Sequence, residues 1–358
     1  MASEKEKQLL EEMPGRLLRW YDGCARVLPW REEPTPYRVW VSEIMLQQTR
    51  VEAVKPYYER FLSQLPTVQA LAEAPEEQLL KLWEGLGYYN RVRNLQKGAR
   101  QVMERFGGEV PADFQALRSL SGVGDYTAGA IASIAFGIPV PAVDGNVLRV
   151  ISRLLAREDD ILDPRVKKRM EGEVAVVIPQ DRAGDFNQSL MELGAMVCLP
   201  NGTPKCGECP LGDICRAHAL GLEGALPKKA VKKARRVEER TLFLLTQNGK
   251  LALSRRRSQG LLAGLWELPG TEGWLTEQEA AELLKSWNVP AEKLEKLPAA
   301  KHIFTHVEWR MTAWAANVPE ILPEGLSRFI WADREELERE ITLPSAFRSY
   351  FPEIEKRL

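Results

Sequence analysis

Gly122-Val123-Gly124 lies inside the stretch Leu117 to Leu155, LRSLSGVGDYTAGAIASIAFGIPVPAVDGNVLRVISRLL, and limits the fold more sharply than any other feature of the chain. Two glycines around one small apolar residue admit positive φ and close backbone approach. They make a hairpin at Ser121–Gly124 between two helices, the second starting near Tyr126 and ending before Gly137-Ile138-Pro139. The amides of such a turn, and of the helix start that follows it, are places where an anion can sit. A glycine turn between helices is also an ordinary connection. Twenty residues past Gly124 comes Asp144, just before Gly145-Asn146-Val147. Aspartate there is a preferred N-cap, and a carboxylate at the mouth of a helix is equally a candidate for chemistry.

The hydrophobic period assigns the rest of the chain. Residues 1–220 read as helix; Tyr37, Trp40, Val41, Ile44 and Met45 share one face, as do Leu79, Leu82 and Trp83. Residues 221–240, with a proline and the basic run Lys228–Arg236, read as a linker. From Thr241 the pattern becomes strand-like. Thr241–Thr246 and Lys250–Arg255 flank Asn248-Gly249, the favoured pair for a tight hairpin. Thr276 and Glu279 form a capping box that opens a helix to about Trp287. Lys301–Ile303, Val307–Ala315 and Phe329–Trp331 are further strands, and Asp333–Arg339 is a short helix. The fold class is therefore multidomain: an all-α domain over 1–220 and a small α+β domain over 241–358. A length of 358 residues agrees, being too long for one typical core.

No run approaches the ~18 apolar residues of a membrane span, and the charged N-terminus lacks the apolar core of a signal peptide. We expect a cytoplasmic monomer with no membrane partner. The net charge of −1 offers no global attraction to nucleic acid. A DNA-binding surface must come from local clusters such as Tyr88–Arg93 with Lys97 and Arg100, or the 228–236 run.

Four of the five cysteines, Cys198, Cys206, Cys209 and Cys215, fall within 18 residues. In a chain read as intracellular that pattern favours a metal centre over disulfides. Only one C-x2-C knuckle is present, where all-cysteine zinc sites commonly use two. The spacing also departs from the common ferredoxin runs. Zinc and an iron–sulfur cluster both remain open on spacing alone. Cys24 stands apart and reads as a small apolar residue.

Taken together, the hairpin, Asp144 and the cysteine loop resemble the helix–hairpin–helix/Gly-Pro-Asp (endonuclease III) superfamily of DNA glycosylases. The resemblance places a helix–hairpin–helix at about 117–136, with Gly122, Val123 and Gly124 on DNA phosphate. It makes Asp144 catalytic and Cys198, Cys206, Cys209 and Cys215 the ligands of a 4Fe–4S cluster in the 198–215 loop. The first cysteine gap is one residue longer than the family's. Ser42-Glu43-Ile44-Met45-Leu46-Gln47-Gln48-Thr49 is similar to the segment carrying the acid of the adenine DNA glycosylases (the MutY family). Read without that likeness, Glu43 is a solvated helix glutamate, or a carboxyl between Val39 and Leu46 whose pKa is raised enough to donate a proton. Relatives that cut the strand carry a lysine after the hairpin to form a Schiff base. Here the position is Tyr126, whose phenol is a hydrogen-bond donor and not an amine nucleophile.

The resemblance implies a monofunctional glycosylase that flips adenine from double-stranded DNA containing an A·8-oxoguanine or A·G mismatch. Glu43 would protonate the base at N7, Asp144 would stabilise or capture the sugar cation, and Tyr126 and Asn146 would orient Asp144. Trp30, Arg31 and Gln188 would form the base pocket. Gln48, Thr49, Leu86 and Tyr88 would fill the vacated stack. Trp30 as a core tryptophan and Tyr88 as plain packing are the alternatives from residues alone.

In the C-terminal domain, Gly260–Gly270 resembles the matching segment of Nudix-like domains, but the glutamate-rich metal helix of a working hydrolase does not follow it. Phe304-Thr305-His306 is similar to the loop with which adenine glycosylases recognise 8-oxoguanine, Thr305 touching the base and Phe304 and His306 shaping the loop. Truncation near residue 225 would then spare adenine excision and weaken partner preference. A G·T-mismatch thymine glycosylase and a non-catalytic mismatch-binding protein are the competing readings.

Overall fold

The computed structural model describes residues 3–230, 234–291, 293–319 and 329–358; the basic run Lys228–Arg236 falls partly outside them. The chain divides into two compact units, Met1–Ala74 with Arg93–Val231, and Pro75–Val92 with Lys232–Leu358.

The first unit is helical. Several of its helices begin where short polar side chains supply acceptors for unpaired amides. Ser3 and Glu6 form a capping box for Glu4–Cys24, Thr35 caps Pro36–Leu46, and Asp163 caps Pro164–Val177. In the last two helices a proline occupies the first position, where its missing N–H costs nothing. Leu10, Met13 and Leu17 of the N-terminal helix pack with Ile151, Leu154, Met170, Val174, Phe186 and Leu190 in one core. The chain start is thereby fastened to Gly145–Leu154, Pro164–Val177 and Ala183–Met196.

The hairpin is present with one refinement. Its first helix is short, Phe114–Arg118, and its second is Asp125–Phe136, ended by Gly137 in the left-handed conformation. Only Gly122 uses positive φ (78°); Gly124 is extended and caps the second helix. A Cβ on Gly122 would lie 2.8 Å from Asn94 Cβ, so that position is closed to larger residues both by space and by backbone.

The second unit carries a seven-stranded mixed sheet: β1 Arg236–Gln247, β2 Lys250–Arg255, β3 Trp266–Glu267, β4 Gly270–Glu272, β5 Glu295–Ile303, β6 Val307–Asn317 and β7 Ile330–Ala332. The strand order is β3-β2-β1-β6-β5, with β4 also on β1 and β7 on β2. The central pair β1/β6 is parallel and the other pairs are antiparallel. Asn248 (φ 48°) and Gly249 (φ 72°) turn the β1–β2 hairpin as their types require. β1 begins at Arg236, inside the stretch read as linker. Both faces of the sheet are covered, which is why Leu242–Leu245 reads as a continuous apolar run. Leu242, Leu244, Trp309 and Met311 face Phe347, Tyr350 and Ile354. Phe243, Leu245 and Trp314 face Ala280 and Leu284 of the Glu277–Ser286 helix.

Candidate active site

In the helical unit the expected catalytic residues converge on a cleft of about 1050 Å³ lined by Glu43, Tyr126, Asp144 and Asn146. Trp30, Arg31, Gln48, Thr49 and Gln188 line the same cleft. Trp30 is buried and edge-on to Tyr58, so it is core and pocket wall together. Gln48 holds positive φ (58°) just after the Glu43 helix ends, exposing it at the rim.

Glu43 stands on Pro36–Leu46, a helix whose residues 39–45 are all buried. It is itself only 6% exposed, so the reading of a solvated helix glutamate does not hold. Burial pushes its carboxyl up to about 7, opposed by the Tyr126 hydrogen bond and reinforced by the negative charge of Asp144. Near neutral pH it can therefore hold a proton and release it.

Asp144 satisfies both readings made of it. It caps Gly145–Leu154, its Oδ1 accepting from the amides of Asn146 and Val147, each at 2.8 Å. Its Oδ2 accepts from Asn146 Nδ2 at 2.7 Å, and the residue lines the cleft. Burial raises its pKa, while the bonds from Val147 and Asn146 hold it down. A carboxylate gripped by three N–H donors is fixed in direction and carries its charge at a defined place.

One expectation is corrected. Tyr126 does not orient Asp144: its hydroxyl donates to Glu43 Oε2 at 2.6 Å and also meets Met191 Sδ at 3.6 Å. The tyrosine sits in the first turn of Asp125–Phe136, directed at the Glu43 helix, and Asn146 is what holds Asp144. The remaining support comes from residues the sequence reading did not single out. Arg149 Nη2 donates to Asn146 Oδ1 and to Gly194 O, both at 2.8 Å, and its Nε donates to Cys198 O at 2.9 Å. Gly194 permits this approach, since a Cβ there would lie 2.5 Å from Asn146 Cβ. Fully buried Asn187 fastens the segment before Asp144, accepting from Ala142 N and donating to Val140 O and Ser133 Oγ. Glu192, 1% exposed, binds Arg26 Nε at 2.6 Å and Arg31 Nη2 at 2.9 Å in the cleft wall. Arg149 lies three residues past Asn146, one turn along the same helix face, which was the available signal for it.

The four cysteines are half-buried in one loop. Burial raises the Cys206, Cys209 and Cys215 thiols, and N–H donors to the Cys209 and Cys215 sulfurs oppose it. Arg153 Nη1 lies 3.2 Å from Cys198 Sγ, the Leu211 amide donates to the Cys209 sulfur, and the Ala217 and His218 amides donate to Cys215. Gly212 keeps the turn open: a Cβ would lie 2.8 Å from Cys206 O. Among the described residues, the donor atoms that come within 4.8 Å of one another are those of Cys206, His218 and Glu223, and not three of the four sulfurs. A single tetrahedral zinc, with Zn–S of about 2.3 Å, would need its sulfurs closer than that. Four cysteine sulfurs in one loop, three of them met by N–H donors, are a donor set that an iron–sulfur cluster takes.

In the second unit, Tyr88 is 48% exposed, and its hydroxyl lies 2.9 Å from Thr305 Oγ1. Leu86 is buried. Phe304 packs edge-on against Trp309 at 4.9 Å, and the His306 carbonyl accepts from Arg236 N. Glu279 is taken up by the Thr276 capping box.

Residues 41–175 match the HhH-GPD superfamily of base excision DNA repair proteins, and residues 241–352 match the NUDIX domain. The human protein described as adenine DNA glycosylase is 39% identical over 354 residues, covering 82% of this chain. The chain spans 65% of that relative's length. The rat adenine DNA glycosylase is 37% identical, with 82% of this chain and 68% of the relative covered. That of Buchnera aphidicola subsp. Baizongia pistaciae is 32% identical, with 81% and 82% covered. Among solved structures, a thermostable thymine-DNA glycosylase has a TM-score of 0.53 at 28% identity, covering 60% of this chain and 98% of its own. A non-covalent endonuclease III–DNA complex has a TM-score of 0.53 at 26% identity, covering 62% and 99%. With a helical unit that matches the first of these families and a sheet unit that matches the second, the chain belongs to the adenine DNA glycosylase family.

Proposed function

We propose that the chain hydrolyses the N-glycosidic bond of adenine mispaired with 8-oxoguanine or guanine in double-stranded DNA, without cutting the strand. The observation that carries the reading is the pair of cleft carboxyls with unlike surroundings, one raised to about 7 by burial and one gripped by three N–H donors. Breaking the bond leaves negative charge on the departing base and positive charge on the sugar. Glu43 gives its proton to the base at N7, so the base leaves neutral. Asp144 faces the sugar, where its fixed carboxylate stabilises the cation or captures it transiently before water completes the substitution. Tyr126, bonded to Glu43, provides no amine for a Schiff base. Arg31, Trp30 and Gln188 enclose the flipped adenine, and Gln48, Thr49, Leu86 and Tyr88 support the opened stack. Gly122–Gly124 grips phosphate.

Thr305, with Phe304 and His306 shaping its loop, contacts the 8-oxoguanine partner. Cys198, Cys206, Cys209 and Cys215 would hold a 4Fe–4S cluster that fixes the loop, and Cys198 joins that loop to Arg149 and Arg153 through its carbonyl and sulfur. The protein acts as a monomer in the cytoplasm.

The test is incubation with duplexes carrying A·8-oxoguanine, A·G and G·T, followed by alkali. Breaks in the adenine strand support the reading. Breaks opposite guanine in the thymine strand, or none, overturn it. Glu43→Gln and Asp144→Asn should each lose far more than tenfold, beyond about 1.4 kcal/mol, in single-turnover adenine release. The purified protein should absorb near about 410 nm with stoichiometric iron. Zinc without iron after anaerobic preparation would rule the cluster out.

A further inference from the structure

Residues 75–92 lie between helical segments in sequence, yet they belong to the second unit. Two attachments hold them there. At one, Lys81 Nζ donates to Glu84 Oε2 (2.7 Å), Leu337 O (2.8 Å) and Ile341 O (3.2 Å), using all three ammonium donors. Glu84 Oε1 accepts in turn from Leu343 N at 2.9 Å. Leu343 is buried in the core with Phe347 and Tyr350, so this clamp closes on the rigid part of the unit. The ion pair is only partly exposed, 20% and 30% for the two side chains, and ties five chain positions together rather than two.

At the other attachment, Tyr88 meets Thr305. Between them the turn is set by its own contacts. Gly85, Gly87 and Tyr88 all take positive φ (99°, 69° and 48°). Trp83 Nε1 donates to Gly87 O, and Arg91 Nη2 donates to Leu86 O and Gly87 O, each at 3.1 Å. The Arg91 guanidinium also lies over the Trp83 and Tyr88 rings. A non-glycine residue at positive φ persists only where its surroundings over-determine it. The clamp supplies the fixed end from which the turn delivers the Tyr88 hydroxyl to Thr305.

We infer that Lys81 and Glu84 are positioning residues for partner-base discrimination: they hold the Leu86–Tyr88 turn in register with Thr305, so that insertion beside the mismatch and reading of the partner base act as one device. The inference rests on the proposed function, in which Thr305 faces that base.

The experiment measures single-turnover adenine release opposite 8-oxoguanine and opposite guanine, using full-length holoprotein. The variants are Lys81→Met, Glu84→Gln, Thr305→Ala and the Lys81→Met/Thr305→Ala double. Each clamp variant should lower the 8-oxoguanine/guanine rate ratio about fivefold while leaving the guanine-partner rate within about twofold, and in the Thr305→Ala background Lys81→Met should add nothing. A parallel fall of both rates, an unchanged ratio, or full additivity in the double variant would overturn the clamp. Melting of each variant is followed alongside, because a merely structural role lowers Tm without moving the ratio. If wild type itself shows no preference for 8-oxoguanine, the proposed base reading fails first and takes the clamp with it.

Discussion

Tyr126 donates its hydroxyl to Glu43 Oε2 at 2.6 Å, joining the first turn of one helix to the last turn of another across the cleft. The bond favours the ionised form of a carboxyl that burial pushes up to about 7. Proton donation needs the acid form, so the chemical step should be level below about pH 7 and fall above it. Tyr126→Phe removes the opposing bond and should move that alkaline limb upward by about one pH unit. Single-turnover rates between pH 5 and 9 check this, and a limb that stays put or moves down would refute the pairing.

The same carboxyl sets a stability trend. Its folded pKa lies above its unfolded one, the ordinary carboxyl value of 4.5. Its contribution is therefore fully present below pH ~4.5 and lost as pH rises through ~7. Glu43→Gln cannot ionise and should gain on wild type between pH 4.5 and 8 by about 3 kcal/mol, the worth of a shift this size. Urea unfolding of both proteins at the two pH values measures it. A difference that is constant with pH contradicts the burial account.

Arg149 acts on Asp144 through Asn146, two bonds away. Arg149→Met keeps the stem but removes the donors to Asn146, Gly194 and Cys198. The expected result is a loss of about 10–100-fold in the chemical step with little change in duplex affinity, since orientation and not binding is lost. Affinity falling in step with rate would point to general damage instead.

Glu192 is a buried anion between two guanidinium groups. Glu192→Gln leaves Arg26 and Arg31 under-neutralised and should destabilise the protein by about 3 kcal/mol, the cost of breaking a buried pair from one side. Both arginines keep some water contact, so Glu192→Ala should cost no less. Denaturant midpoints at constant m decide; a shift below about 0.5 kcal/mol would show the cluster to be idle.

Much of this was legible because it is local. Gly122 requires a left-handed turn, Asn248-Gly249 a hairpin, and Thr276 with Glu279 a helix start, and each appears where its chemistry demands. The carboxyls Glu43 and Asp144 were legible as candidates because short motifs surround them. Partner choice was not. Tyr126 was assigned to Asp144, near it in sequence, but bonds Glu43, 83 residues away. Glu192 and Asn187 act through contacts set by packing of distant helices, for which no period or motif exists, while Arg149 had only its spacing from Asn146 as a signal. Residues 75–92 have a helical pattern that says which face is buried but not which core buries it.

That last point bears on how the chain is made and cut. Synthesis delivers Pro75–Val92 long before Lys232–Leu358, so part of the second unit must wait, tethered at both ends, for the rest to be translated. A protein ended near residue 225 would still contain this piece but would lack the carbonyls of Leu337 and Ile341 and the amide of Leu343 that receive it. Truncation would thus release Tyr88 as well as delete Thr305, and weakened partner preference in the shortened protein would have two origins.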